Sequence, residues 1–169
     1  ESLRAGSHLF SAALKCSEAM RLDPKLPLPH TILAYTYVLQ NKLEQGLSEH
    51  EIAISLAPQD PYVHFRLGQS LSTAGKWTEA ESALRKTLEL DPHYADAMLV
   101  LAWVLSKLEK KEEAMHYAQQ ASAFAPNDVD AHNMLAMLHI NNNRPDLAAQ
   151  EYKTSLLLKP KNMRIQRAL

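Results

Sequence analysis

The chain has 169 residues, 46% hydrophobic and 22% charged with only four glycines, a composition that excludes a disordered segment and supplies the apolar side chains of a packed core. Eighteen Lys plus Arg against nineteen Asp plus Glu leave a formal net charge of -1, which excludes an overall field able to gather nucleic acid or an anionic membrane. The single cysteine, Cys16, excludes an internal disulfide and fits a reducing compartment such as the cytoplasm without excluding an oxidising one. No apolar run approaches the ~20 residues needed to cross a bilayer, so direct membrane insertion is not expected.

Prolines at 24, 58, 92, 126 and 160 recur at intervals of 34, closing the apolar stretches RLDP, SLAP, ELDP, FAPN and LLKP. A fixed period of this length is the mark of a repeat architecture. With the proline at position 32, the chain opens on a partial first repeat, 1–26, made mainly of a second helix, in which Leu3 and Ala12 register on Leu71 and Ala80. Complete repeats follow at 27–60, 61–94, 95–128 and 129–162, and 163–169 starts a further helix.

Within a repeat, apolar residues at positions 4, 7, 8 and 11 follow the period of one helix, and those at 20, 24, 27, 28 and 30 that of a second. Small residues stand at position 8 (Ala34, Gly68, Ala102, Ala136) and position 20 (Ala12, Gly46, Ala80, Ala114, Ala148), where two helices must approach closely. Position 7 (Leu33, Leu67, Leu101, Leu135) and position 30 (Leu22, Leu56, Leu90, Phe124, Leu158) are expected inside the helical pair. In chain order, Asp60 is expected to cap the first helix of its repeat, TAGKW at 73–77 forms a turn, and Thr78 with Glu81 forms a capping box. LEKKE at 108–112 and NNNRPD at 141–146 form the next two turns, Asp128 and Asn162 are further caps, and Pro145 fits the first turn of its helix.

These residues resemble the tetratricopeptide repeat family. The match is clearest in 61–94, where Leu67-Gly68, Leu71, Ala80, Leu84 and Pro92 follow the family pattern and TEAESALRKTLELDP resembles its second helix and exit turn. His30, His64, Met98 and His132 stand where the family usually carries Trp, Thr87 and Ser155 depart at position 27, and Lys111 and Pro145 depart at the often aromatic position 17. The resemblance implies an all-α fold, a right-handed superhelical solenoid of antiparallel helix-turn-helix hairpins. Neither end carries the polar cap that such arrays need, so a longer protein or closure by oligomer contacts is expected.

Chemistry-bearing residues do not assemble into a reactive motif. His30, His64 and His132 share position 4, but equivalent positions on stacked hairpins lie ~8 to 10 Å apart, too far for one metal ion. Neither His50-Glu51 nor the pair His132 and His139 completes a metal signature, and these are read as surface or groove residues. Cys16, at a buried family position, is read as an inert core thiol. No nucleophile elbow or phosphate-cradling glycine loop is present, so neither catalysis nor a cofactor is expected.

The resemblance implies that function sits on the concave face, lined by positions 2, 5, 9, 12 and 13 of the first helices. The expected contacts to a protein or peptide ligand are Tyr35, Tyr62, Phe65, Leu99, Trp103 and Met137, with Gln69 and Asn133 bonding the ligand backbone. A two-carboxylate clamp for acidic peptide tails, known in the family, is not supplied, since its positions carry Thr31, Ile32, Tyr35, Phe65, Arg66 and Gln69 with Arg66 the only cation. The Asn ladder of the family's glycosyltransferase arrays is also missing, because position 6 holds Ile32, Arg66, Val100 and Met134. The leading expectation is therefore a protein-interaction scaffold. The alternatives are a regulatory or oligomerisation module appended to an enzyme or transcription regulator, self-associating through its end helices, and an RNA-binding helical repeat, which the balanced charge disfavours.

Overall fold

The computed structural model describes Ser11 and residues 14–159, in two compact units, Glu1–Asp91 and Pro92–Leu169. The described residues are helical or in turns, with no strand among them. Residues 14–22 are helical, and the first unit continues with α1 (Pro27–Leu39), α2 (Leu43–Leu56), α3 (Pro61–Thr73) and α4 (Trp77–Leu90). The second holds α5 (Ala95–Lys107), α6 (Lys111–Phe124), α7 (Val129–Asn141) and α8 (Pro145–Leu158). In the first unit α1 pairs with α2 and α3 with α4, and α3 also packs on both α1 and α2. The second unit repeats this scheme: α5 pairs with α6, α7 with α8, and α7 packs on both α5 and α6. No helix among the described residues is long and apolar enough to cross a membrane.

Local chemistry sets the helix starts. Pro27, Pro61 and Pro145 occupy the first turns of α1, α3 and α8, where a missing N–H costs nothing. Asp60 accepts from the Tyr62 N–H and Asp128 from the Asp130 N–H, each at 2.9 Å. Asn162, like Leu3, Ala12 and the further helix expected at 163–169, lies outside the described residues. The expected capping box of Thr78 and Glu81 does not form. Helix α4 begins at Trp77, so Thr78 is already inside its first turn, and Glu81 instead accepts from Arg85 Nε at 3.0 Å.

All four turns inside the hairpins share one device. Position 15 of each repeat is left-handed, with φ of 62° at Asn41, 75° at Gly75, 59° at Glu109 and 61° at Asn143. The next residue's N–H then reaches back to the carbonyl five residues earlier: Lys42 to Tyr37, Lys76 to Leu71, Lys110 to Leu105 and Arg144 to His139, at 2.8 to 2.9 Å. This bond satisfies a carbonyl that the helix end leaves open and reverses the chain.

The reversal brings the small residues together. Ala34, Ala102 and Ala136 at position 8 and Ala80, Ala114 and Ala148 at position 20 are buried, as are Gly46 and Gly68. A methyl group on Gly46 would lie 2.8 Å from the Ala34 carbonyl oxygen, and one on Gly68 would lie 2.6 Å from Leu84 Cγ. Position 7 is core at Leu33, Leu101 and Leu135 and half-buried at Leu67. Position 30 is not core. It ends the second helix, where the chain turns away, and leaves Leu56 and Leu90 half-buried and Leu22, Phe124 and Leu158 exposed.

Two substitutions probe these constraints by urea unfolding. Gly46→Ala improves helix propensity by about 1 kcal/mol yet meets a backbone oxygen that cannot yield, so a net loss of about 1 to 2 kcal/mol is expected. Glu109→Gly removes left-handed strain and should raise stability by about 0.5 to 1 kcal/mol.

Candidate functional site

The first helix of each hairpin, α1, α3, α5 or α7, presents one side to its partner helix and another outward. At about 100° per residue, positions 2, 9 and 13 fall within about 40° of one another, whereas 5 and 12 turn about 60 to 80° toward the packed side. Burial follows this wheel. Position 9 is half-buried in every repeat, at Tyr35, Gln69, Trp103 and Met137, and position 13 is exposed at Leu39, Thr73, Lys107 and Asn141. Position 5 is covered at Thr31, Phe65 (7% exposed) and Leu99 (8% exposed), and only Asn133 there is half-buried. Phe65 and Leu99, expected on the ligand face, thus lie beneath it.

In the first unit the structure brings three of the expected residues around one that sequence reasoning left out. The Arg66 guanidinium carbon lies 4.5 Å from the centre of the Tyr35 ring and 6.0 Å from that of Tyr62. Its Nη1 donates to Gln69 Oε1 at 2.5 Å. Helical spacing explains the cluster: Tyr62 precedes Arg66 by four residues and Gln69 follows by three, while Tyr35 reaches across from α1. The negative faces of the two rings hold the cation. Position 6, where Arg66 stands, falls on the same wheel arc as position 2, which is the signal that could have placed it here.

Behind this cluster lies His50 of α2. Expected as a surface or groove residue, it is 1% exposed, with Nε2 2.7 Å from Ser70 Oγ of α3. Its helix turns that side toward the next hairpin. Burial, and then the positive charge of Arg66, lower its pKa from 6.5 to about 4. His50 is therefore neutral at pH 7, and Arg66 carries the local charge.

In the second unit Trp103 is half-buried, with the Lys107 ammonium 5.5 Å from its ring centre. Asn133 Oδ1 accepts from Ser155 Oγ of α8 at 2.8 Å, so its carbonyl is committed to the fold and its amide N–H groups are what it can offer a ligand. Met137 is half-buried on α7. A polar cleft of about 370 Å³ lies at the end of α5, lined by Lys107, Lys111, Leu138 and Asn141 among others.

The other candidate groups serve packing. His64 Nε2 donates to the Pro58 carbonyl at 2.9 Å and His132 Nε2 to that of Pro126 at 3.0 Å, tying each hairpin to the turn before it. His30 Nδ1 meets Glu49 Oε2 and His132 Nδ1 meets Glu151 Oε2, both at 2.7 Å. Both His–Glu pairs are 19 residues apart in repeat-equivalent positions, a spacing visible in the sequence. Burial opposes a charge on His132, but the Glu151 and Pro126 hydrogen bonds and the charges of Glu151 and Asp128 outweigh it and raise its pKa. Cys16 is buried and its thiol pKa is raised by that burial.

Three tetratricopeptide repeat profiles match residues 71–138, 33–95 and 129–162. Among curated proteins, the chain is 26% identical over 141 residues to the human Cell division cycle protein 16 homolog, covering 78% of this chain but only 23% of that protein. Among solved structures, a thermophilic TPR protein of Thermus thermophilus superposes with a TM-score of 0.84 at 21% identity, covering 99% of this chain and 92% of that one. YrrB, described as a TPR protein with an unusual peptide-binding site, superposes with a TM-score of 0.72 at 17% identity, covering 98% and 86%.

The two perturbed histidines give opposite pH signatures. His50 titrates lower folded than unfolded, so its contribution is complete above pH 6.5 and is lost as pH falls toward about 4. His50→Gln should therefore reduce the stability difference between pH 7 and pH 4.5, measured by urea titration, by roughly 2 to 3 kcal/mol. His132 titrates higher folded, so its contribution is present below pH 6.5 and fades as pH rises through its raised pKa. His132→Gln should cost more stability at pH 5.5 than at pH 8.

Proposed function

The chain belongs to the tetratricopeptide repeat family, and on that premise we propose that it is a protein-interaction scaffold whose first-helix faces receive an extended peptide or a partner helix. The observation that carries this reading is position 9: three of its four residues, Tyr35, Trp103 and Met137, are large and apolar or aromatic, yet every one stays half-exposed while positions 8 and 10 on either side of it in the chain are buried in every repeat. Such groups offer wide contact area at small entropy cost and are favoured at partner sites. Tyr62 extends the face in the first unit, and Gln69 and the Asn133 amide offer backbone hydrogen bonds. Phe65 and Leu99 act from below, fixing the helices that carry the face.

A binding role rather than catalysis is supported by the state of the groups that would do chemistry. The Cys16 thiol is buried with a raised pKa, and His50 is bonded to Ser70 inside the core. The chain spans about a quarter of the length of the human relative it matches, so its partner is proposed to be met as part of a larger protein or assembly.

The test begins with peptides selected from a displayed random library on the wild-type chain. Tyr62→Ala should raise the Kd of a selected peptide held by the first unit, and Trp103→Ala that of one held by the second, about 10-fold or more in fluorescence anisotropy, with helicity unchanged by circular dichroism. Unchanged affinity in both variants would end this reading.

A further inference from the structure

Sulfur divides the two units. Helices α1 and α3 carry neither methionine nor cysteine, so the first-helix face of the first unit, with Tyr35, Tyr62 and Gln69, holds no thioether. In the second unit α7 carries Met134 and Met137, three residues apart on one side of the helix and both half-exposed. Met98 of α5 is 2% exposed, and Cys16 is buried with a raised thiol pKa. The sulfur atoms that a small oxidant meets on a first-helix face are therefore those of Met134 and Met137. Met137 stands at position 9, and the repeat 61–94 holds the half-buried Gln69 at the same place, so the fold accepts a polar side chain there.

Hydrogen peroxide oxidises a thioether by two electrons. The sulfur lone pair attacks one peroxide oxygen, the O–O bond breaks and an S–O bond forms; the proton of the transferred oxygen passes to the departing hydroxide, which leaves as water. The product is a sulfoxide, a polar acceptor where an apolar chain stood. On the half-exposed side of α7 water can meet the new oxygen, so the fold loses little. A bound peptide removes that water, and an acceptor covered without a donor is costly. We propose that Met137 is a reversible oxidation site for hydrogen peroxide, whose modification weakens ligand binding on the second unit's face and leaves the first unit's face unaffected. The inference rests on the peptide-binding reading above and adds regulation to it. Met134 is open to the same reagent, and the test separates the two.

The test uses two peptides from the displayed library, one whose affinity depends on Trp103 and one whose affinity depends on Tyr62, with folding followed by circular dichroism. After brief treatment with dilute hydrogen peroxide, peptide mapping by mass spectrometry should find an added oxygen on Met134 and Met137 before Met98. Bound Trp103-dependent peptide should slow the reaction at Met137. The oxidised chain should bind that peptide about 10-fold more weakly, with helicity retained and the Tyr62-dependent peptide bound as before. Methionine sulfoxide reductases acting on both epimers should restore the affinity. Each variant is compared with its own untreated affinity: the peroxide effect should vanish in Met137→Leu, which keeps an apolar side chain without sulfur, and persist in Met134→Leu. Met137→Gln, polar without oxidation, should bind weakly from the start. Complete oxidation of Met137 with no change in affinity, a loss that persists in Met137→Leu, or a loss that accompanies unfolding would overturn the inference and leave the binding face standing. Equal weakening of both peptides would overturn its confinement to the second unit. A library that yields no Trp103-dependent binder to the folded wild type would sink the binding reading of that unit, and this inference with it.

Discussion

Close approach of the two helices within each hairpin is the constraint on which the rest depends. At Gly46 the second helix comes so near the first that an added methyl would sit 2.8 Å from a main-chain oxygen. Elsewhere position 20 holds a buried alanine, at Ala80, Ala114 and Ala148. An approach this tight demands a short reversal, and the left-handed residue at position 15 provides it in all four hairpins. Two asparagines and a glycine suit that conformation, whereas Glu109 tolerates it at a cost that the backbone bond from Lys110 to Leu105 helps to offset.

From that packing the outward face follows by helical geometry. Once positions 4, 7, 8 and 11 of the first helix turn inward, positions 2, 9 and 13 are carried to the opposite side, and 5 and 12 are left between. The charge on the first unit's outward arc then comes from one residue. Arg66 occupies the outward arc on a helix without acids, so tyrosine rings and a glutamine, rather than a carboxylate, surround it. Its charge reaches inward as well, adding to the burial that keeps His50 neutral.

The histidines show how position within the repeat decides chemistry. His30, His64 and His132 share position 4; His64 and His132 reach the proline carbonyl of the preceding turn, whereas the buried His30 Nε2 has no hydrogen-bond partner. Of the three, His30 and His132 meet a glutamate, because position 23 is Glu49 and Glu151 in their repeats and Ala83 in that of His64. His50, from a second helix, faces the next hairpin instead and finds Ser70.

The sequence by itself determined the period, the all-α class, the two helices of each repeat, the small residues at positions 8 and 20, and the caps at Asp60 and Asp128, because each rests on a local pattern or on spacing repeated four times. It also named Tyr35, Tyr62, Gln69, Trp103 and Met137, which stay half-exposed on the first helices. Only the tertiary structure decided that Phe65 and Leu99 lie under that face, that position 30 is open, that Thr78 does not cap α4, and that Arg66 is the centre of the first unit's cluster. Burial of one side chain depends on which neighbouring helix covers it, and the partner of one charge on what a second helix brings across. Neither is written in a single helix's periodicity.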